Sequence, residues 1–108
     1  MTEQELEIRL AKIYERTYFD MLGCGESDEA AEKWAREAVK RARGEWERRE
    51  VTREIDEVVN GRRGWVALTK ARAARVGTHH ERLLEAARER GLKVHRHGRM
   101  GWTASRPA

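Results

Sequence analysis

"LTKARAARVGTHHERLLEAARERGLKVHRHGRMGW", residues Leu68 to Trp102, is the stretch on which the reading of the chain turns. Two short helical patterns meet at Gly77, and a basic stretch dotted with histidine follows. Thr69 is placed to cap the first helix, which runs to Val76. Gly77 turns the chain, and Thr78 is placed to cap a further helix over 78–90 that closes at Gly91. "LKVHRH" begins with alternating apolar and polar residues, as a half-buried strand does. "GRMG" is then a loop bracketed by glycines, and "WTAS" is long enough for one short return strand.

Upstream of this stretch, "GWVAL" at 64–68 is too short for a helix and suits a strand. "VTREIDEVVNG" sets Val51, Ile55, Val58 and Val59 on one helical face and stops at Asn60-Gly61. Ser27 is a fitting N-cap, with Asp28 and Glu29 in the favourable first turn. After it Trp34, Ala38, Ala42 and Trp46 recur every four residues, so the tryptophans are expected to supply most of the buried area there. Gly44 bends the helix or ends it, so residues 28–60 read as one long helix or as two, with a break between Gly44 and Glu50 favoured. At the start, Thr2 and Glu5 form a capping box. Leu6, Leu10, Ile13, Thr17 and Met21 then make an apolar stripe, widened by Ile8, Tyr14, Tyr18 and Phe19, that ends near Leu22 before "GCGES".

The whole is 108 residues, 39% charged and 39% hydrophobic, with one proline. That is enough for one domain, or a small domain with a helical extension, and for a modest core. No run approaches the roughly 18 apolar residues of a membrane span. The first ten residues lack the basic-then-apolar layout of a signal peptide. Cys24 is the only cysteine, which excludes an internal disulfide and a cysteine-based zinc site and fits a reducing compartment. The expected location is the cytoplasm, in a bacterial or phage-encoded protein.

Charge is divided sharply along the chain. Residues 1–60 hold 11 basic and 16 acidic side chains, a net −5, whereas residues 61–108 hold 12 basic and 3 acidic, a net +9. All four histidines lie in the second part. A basic working end on an acidic support suggests a polyanionic partner. The bland alternative is that the basic end docks on acidic helices of its own chain or of a second copy.

From about residue 52 the order of elements is helix, short strand, helix, turn, helix, strand, loop, strand. This order, with Ala73 four residues before Gly77 and the apolar Val76 just ahead of the turn, resembles the winged helix-turn-helix superfamily. The resemblance covers about half the chain and rests on pattern. In such units a small residue and a glycine allow two helices to cross closely, and Leu83 and Ala86 fall where the second helix faces the core. Two positions depart from the pattern. Arg72 stands where the family usually has an apolar residue, and Thr78 where a second one often follows the glycine. Ala71 and Ala74 are expected to supply the buried face instead, leaving Arg72 and Arg75 exposed. The fold expected is therefore mainly α with a small antiparallel β-hairpin: an N-terminal helical hairpin over 1–50, a winged helix-turn-helix over 51–105 and a tail over 106–108.

The resemblance implies double-stranded DNA as partner, with the start of the second helix against base edges in the major groove. Those residues are Thr78, His79, His80 and Arg82, and Arg82 can make two bonds to guanine. Thr69 and Lys70 suit phosphate contacts, and Arg62 and Arg63 can reach the same backbone. The wing spans 95–101. Its Arg96 and Arg99 resemble the arginines that winged proteins lay into a minor groove, with Met100 and Trp102 as packing residues. The N-terminal helices suit a homodimer.

The function expected is that of a small DNA-binding protein, a transcriptional regulator or a phage or mobile-element accessory factor. The alternative, from another class, is a protein-interaction module, an adaptor or inhibitor of a larger nucleic-acid machine. RNA binding is a third, weaker possibility, but the sequence lacks the aromatic stacking platform common in single-strand binders, and all four tryptophans read first as core or interface residues. No nucleophile motif, phosphate-cradling loop or paired carboxylates point to catalysis, so no enzyme and no cofactor is expected. Adjacent histidines cannot easily reach one ion from one helix face, and no metal is expected either.

Overall fold

A computed structural model of the chain describes residues 2–98 and 101–108. Four helices and a small three-stranded antiparallel sheet follow in the order α1 (Glu3–Gly23), α2 (Asp28–Val59), β1 (Trp65–Ala67), α3 (Lys70–Val76), α4 (His80–Glu89), β2 (Lys93–Arg96) and β3 (Trp102–Ser105). The chain divides into two compact units, Met1–Arg43 and Gly44–Ala108.

In the first unit Thr2 Oγ1 accepts the Glu5 amide at 3.2 Å, and Ser27 Oγ accepts that of Ala30 at 3.2 Å, so both helix starts are capped as their sequences suggest. The buried residues are Leu6, Leu10, Ala31 and Ala35. The row expected on α2 is thereby corrected: Trp34 is 50% exposed, and Ile8 and Phe19 of α1 also face outward. Alanines permit a close helix approach that an indole ring prevents, so the Ala31–Ala35 edge turns inward and Trp34 turns out.

The break expected between Gly44 and Glu50 is absent. α2 is one helix of 32 residues. A single interior glycine costs a helix only about 1 kcal/mol, less than the backbone hydrogen bonds that a break gives up. Gly44 has a different use: a Cβ added there would lie 3.3 Å from the carbonyl oxygen of Arg75. The glycine lets the end of α3 pass close to α2.

The second unit is built around Val51, Ile55 and Val58 of α2, Val66, Leu68, Ala73 and Val76, Leu83, Leu84 and Ala87 of α4, Leu92 and Ala104, with Val94 and Trp102 packed against them. β2 and β3 form the expected hairpin, and β1 joins it on the far side of β3, giving the order β1-β3-β2. Val66, Ala104 and Val94 share one cross-strand row and face the core. Gly77 takes the left-handed conformation at φ +80°, and the amides of Gly77 and Thr78 both reach the Ala73 carbonyl, closing α3.

Three local expectations are overturned. Ala71 and Ala74 are exposed, while Arg72 points inward with its side chain only 12% exposed. Arg72 is one turn before Val76 and shares its face, and α2 presents Glu47 and Glu54 to receive it. Ala86 is exposed, and Leu84 and Ala87 are buried with Leu83. α4 begins at His80 rather than Thr78; His79 is the cap residue, and its side chain makes no capping bond.

Candidate functional site

The basic half is partly neutralised from within. Arg72 pairs with Glu54 and lies 3.3 Å from Glu47, which also receives Arg75 at 3.2 Å. Arg63 bridges Glu54 at 3.2 Å and Glu57 at 3.1 Å, and Arg90 pairs with Asp56. All four acceptors lie on the second half of α2. The hydrogen bond that Arg63 donates holds the Glu57 carboxyl below the usual carboxylate range, with Arg53 adding to the effect. Of the residues expected to touch a polyanion, Arg63 is therefore already engaged. Arg62, Lys70, Arg82 and Arg96 have no ion-pair partner among the described residues, nor have Arg88 and Lys93.

One cluster joins the start of α4 to the hairpin. His80 Nε2 donates to the Leu68 carbonyl at 2.7 Å, which fixes that nitrogen as the protonated one. The same ring meets Trp102 edge-on with centroids 5.4 Å apart. Over Trp102 lies Arg96, its guanidinium carbon 5.6 Å from the ring centroid. Gly101, at φ +105°, comes so close to Thr69 that an added Cβ would lie 3.2 Å from its Cγ2. The Thr69 hydroxyl itself accepts the Arg72 amide at 3.1 Å as the α3 cap. Thus Thr69, His80, Trp102 and Arg96 are neighbours, while Lys70, His79 and Arg82 are exposed beside them in sequence. Thr78 is half-buried in the turn. Arg99 and Met100 lie outside the described residues.

Two features escaped the sequence reading. Glu81, Glu85 and Glu89, each four residues apart, form an exposed row along α4. Their spacing is legible in the sequence, but attention to arginine hides it. The other feature is the outer face of the sheet, where Trp65 is 57% exposed. It shares a shallow concavity with His95, His97, Thr103 and Ser105. His97 hydrogen-bonds with Thr103 Oγ1 at 2.7 Å and His95 with Ser105 Oγ at 3.2 Å. Strand alternation puts these side chains on one face, but only the pairing of β1 with β3 brings Trp65 to them.

Among the described residues no group of three or more histidine, cysteine, aspartate or glutamate side chains is placed to hold a metal ion. No described helix is long and apolar enough to cross a membrane. Comparison with protein-family models, with curated proteins and with solved structures returned no match to this chain.

Proposed function

We propose that the unit Gly44–Ala108 is a duplex-DNA-binding module of winged helix-turn-helix type, acting as a small transcriptional regulator or a phage or mobile-element accessory factor. The observation that carries the reading is the Arg96–Trp102–His80 stack. It ties a hairpin arginine to the first turn of α4, as a protein must if hairpin and helix are to address one duplex together. In this reading His79, Thr78 and Arg82 approach base edges, Lys70 and Arg62 approach phosphates, and Arg96 serves the wing, with Arg99 beyond it. His80, held by the Leu68 carbonyl, positions the helix instead of reading bases. Glu85 and Glu89 limit close approach to the first turn of α4, where Glu81 also stands, because carboxylates further along repel the phosphate backbone. The exposed Ile8, Phe19 and Trp34 of the first unit support self-association into a homodimer.

A second reading has one specific support. Glu81, Glu85 and Glu89 form a surface that a basic groove on another protein would accept, as expected of an adaptor or inhibitor module. Selection from a randomised duplex library, with affinity followed across a salt series, separates the two. A selected motif that is lost in Arg82→Ala establishes sequence-specific recognition. Steep salt dependence with no motif indicates architectural binding. Absence of binding at low salt overturns the DNA reading in favour of the protein partner.

A further inference from the structure

Trp65 sits in an unusual position for its size. An indole contributes more to a core than any other side chain, yet this one is mostly outside, on the outward face of the sheet. Register places Trp65, Ser105 and Lys93 in one cross-strand row and Ala67, Thr103 and His95 in the next. The small neighbours Gly64, Ala67 and Ser105 leave the surroundings of the ring low and open. The two histidine rings beside it are tethered by the Ser105 and Thr103 hydroxyls. Their orientation is therefore set before any partner arrives.

We propose that this face binds a run of unpaired nucleotides, with one base stacked on Trp65 and the chain's phosphates drawn by Lys93 and the flanking arginines. Charge selects the occupant. Residues 58–80 and 90–108 contain no aspartate or glutamate. Glu54 and Glu57 of α2 are already paired with Arg63 and Arg72. The face thus joins an exposed indole to polar side chains, two histidines and Lys93 with no carboxylate among them, which suits an anionic chain with exposed base faces better than an apolar peptide or a second copy. A duplex keeps its base faces stacked inside, whereas single strands offer them to aromatic side chains on a sheet. Thr69 and Trp102, which belong to the cluster at the start of α4, border this concavity as well, but Trp65 and Lys93 have no part in the duplex reading, and the inference does not rest on it.

The test measures fluorescence anisotropy of a labelled oligothymidylate of about fifteen nucleotides, and of a blunt duplex, with the full chain and three variants. Loss of one stacking platform is expected to weaken single-strand binding about tenfold in Trp65→Ala. Trp65→Phe retains most of the affinity, and duplex affinity is unchanged in both. Lys93→Ala lowers the salt slope for the oligothymidylate by about one. Circular dichroism confirms that Trp65→Ala is folded, as expected for an exposed side chain. The proposal is overturned if the wild-type chain does not bind oligothymidylate at low salt. Unchanged single-strand affinity in Trp65→Ala overturns it equally, as does an equal loss for the duplex.

Discussion

Arg72 of α3 and Glu54 of α2 form an ion pair against the core of the second unit, in a position where an exposed arginine was expected. Arg72 also donates to the Ala67 carbonyl at 3.0 Å, so one guanidinium ties α2, the end of β1 and α3 together. Breaking a largely buried pair from one side leaves the other charge without compensation. Arg72→Ala is expected to destabilise the fold by about 3 kcal/mol, read from urea unfolding. The double change Arg72→Leu with Glu54→Leu should recover most of that loss. If the double variant is no better than the single one, the pair is not what holds α3 in place.

Gly44 gives the second expectation. Gly→Ala inside a helix ordinarily gains about 1 kcal/mol. Here the new methyl group meets the Arg75 carbonyl at a tight 3.3 Å, so Gly44→Ala should gain nothing and Gly44→Val should destabilise. A full gain in thermal melting for the alanine variant would show that α3 does not pack as closely as described.

His80 and Arg82, two residues apart in the chain, have opposite assignments. His80→Ala removes a hydrogen bond and an aromatic contact and should cost about 1–2 kcal/mol of stability. Arg82 is exposed and has no ion-pair partner among the described residues, so Arg82→Ala should leave stability within about 0.5 kcal/mol and weaken duplex binding about tenfold or more. Chemical denaturation and DNA titration of both variants check the split. Equal losses of stability would remove the distinction.

The glutamate row predicts a gain. Glu85→Gln with Glu89→Gln removes two charges that repel phosphate and should tighten duplex binding several-fold at low salt, with the effect fading as salt rises. Weaker binding in that variant would mean that these carboxylates themselves make a contact, as the protein-partner reading requires.

Acid has a defined effect at Glu57. Its folded-state pKa is lowered, chiefly by the hydrogen bond from Arg63, so its contribution to stability is fully present above the ordinary carboxylate range. That contribution is lost as pH falls through the depressed value. The melting-temperature difference between the wild-type chain and Glu57→Gln should therefore be constant near neutrality and shrink from about pH 5 downward. A difference that grows in acid contradicts this assignment.

Residues with strong local signals were legible from sequence. Thr2, Ser27 and Thr69 cap the helices they precede, Gly77 makes its turn, and the strands lie where a short apolar run (65–67), an alternating run (93–96) and a short return segment (102–105) are read. What was misread depended on contacts between distant residues. Gly44 looked like a break because its reason for being glycine lies on α3, more than a turn of sequence away. Arg72 looked exposed because its partners are on α2. Trp34 and Trp65 looked buried because size alone favours burial, and neither close helix packing nor strand pairing is written in adjacent residues. The candidate site divided the same way: its basic composition was plain, but which arginines are already engaged was not.

The strand order has a consequence for how the protein is made. β3 lies at the centre of the sheet although it follows both other strands in the chain, and each of them pairs only with it. A nascent chain that has reached Arg96 holds its helices but two strands with no neighbour. β1 waits for a partner some forty residues downstream, at Ser105. Closure of the sheet is therefore a late, non-local event. Until it occurs, Val66 and Val94 are apolar strand edges open to any other chain, the interval in which a ribosome-bound chaperone has most to protect.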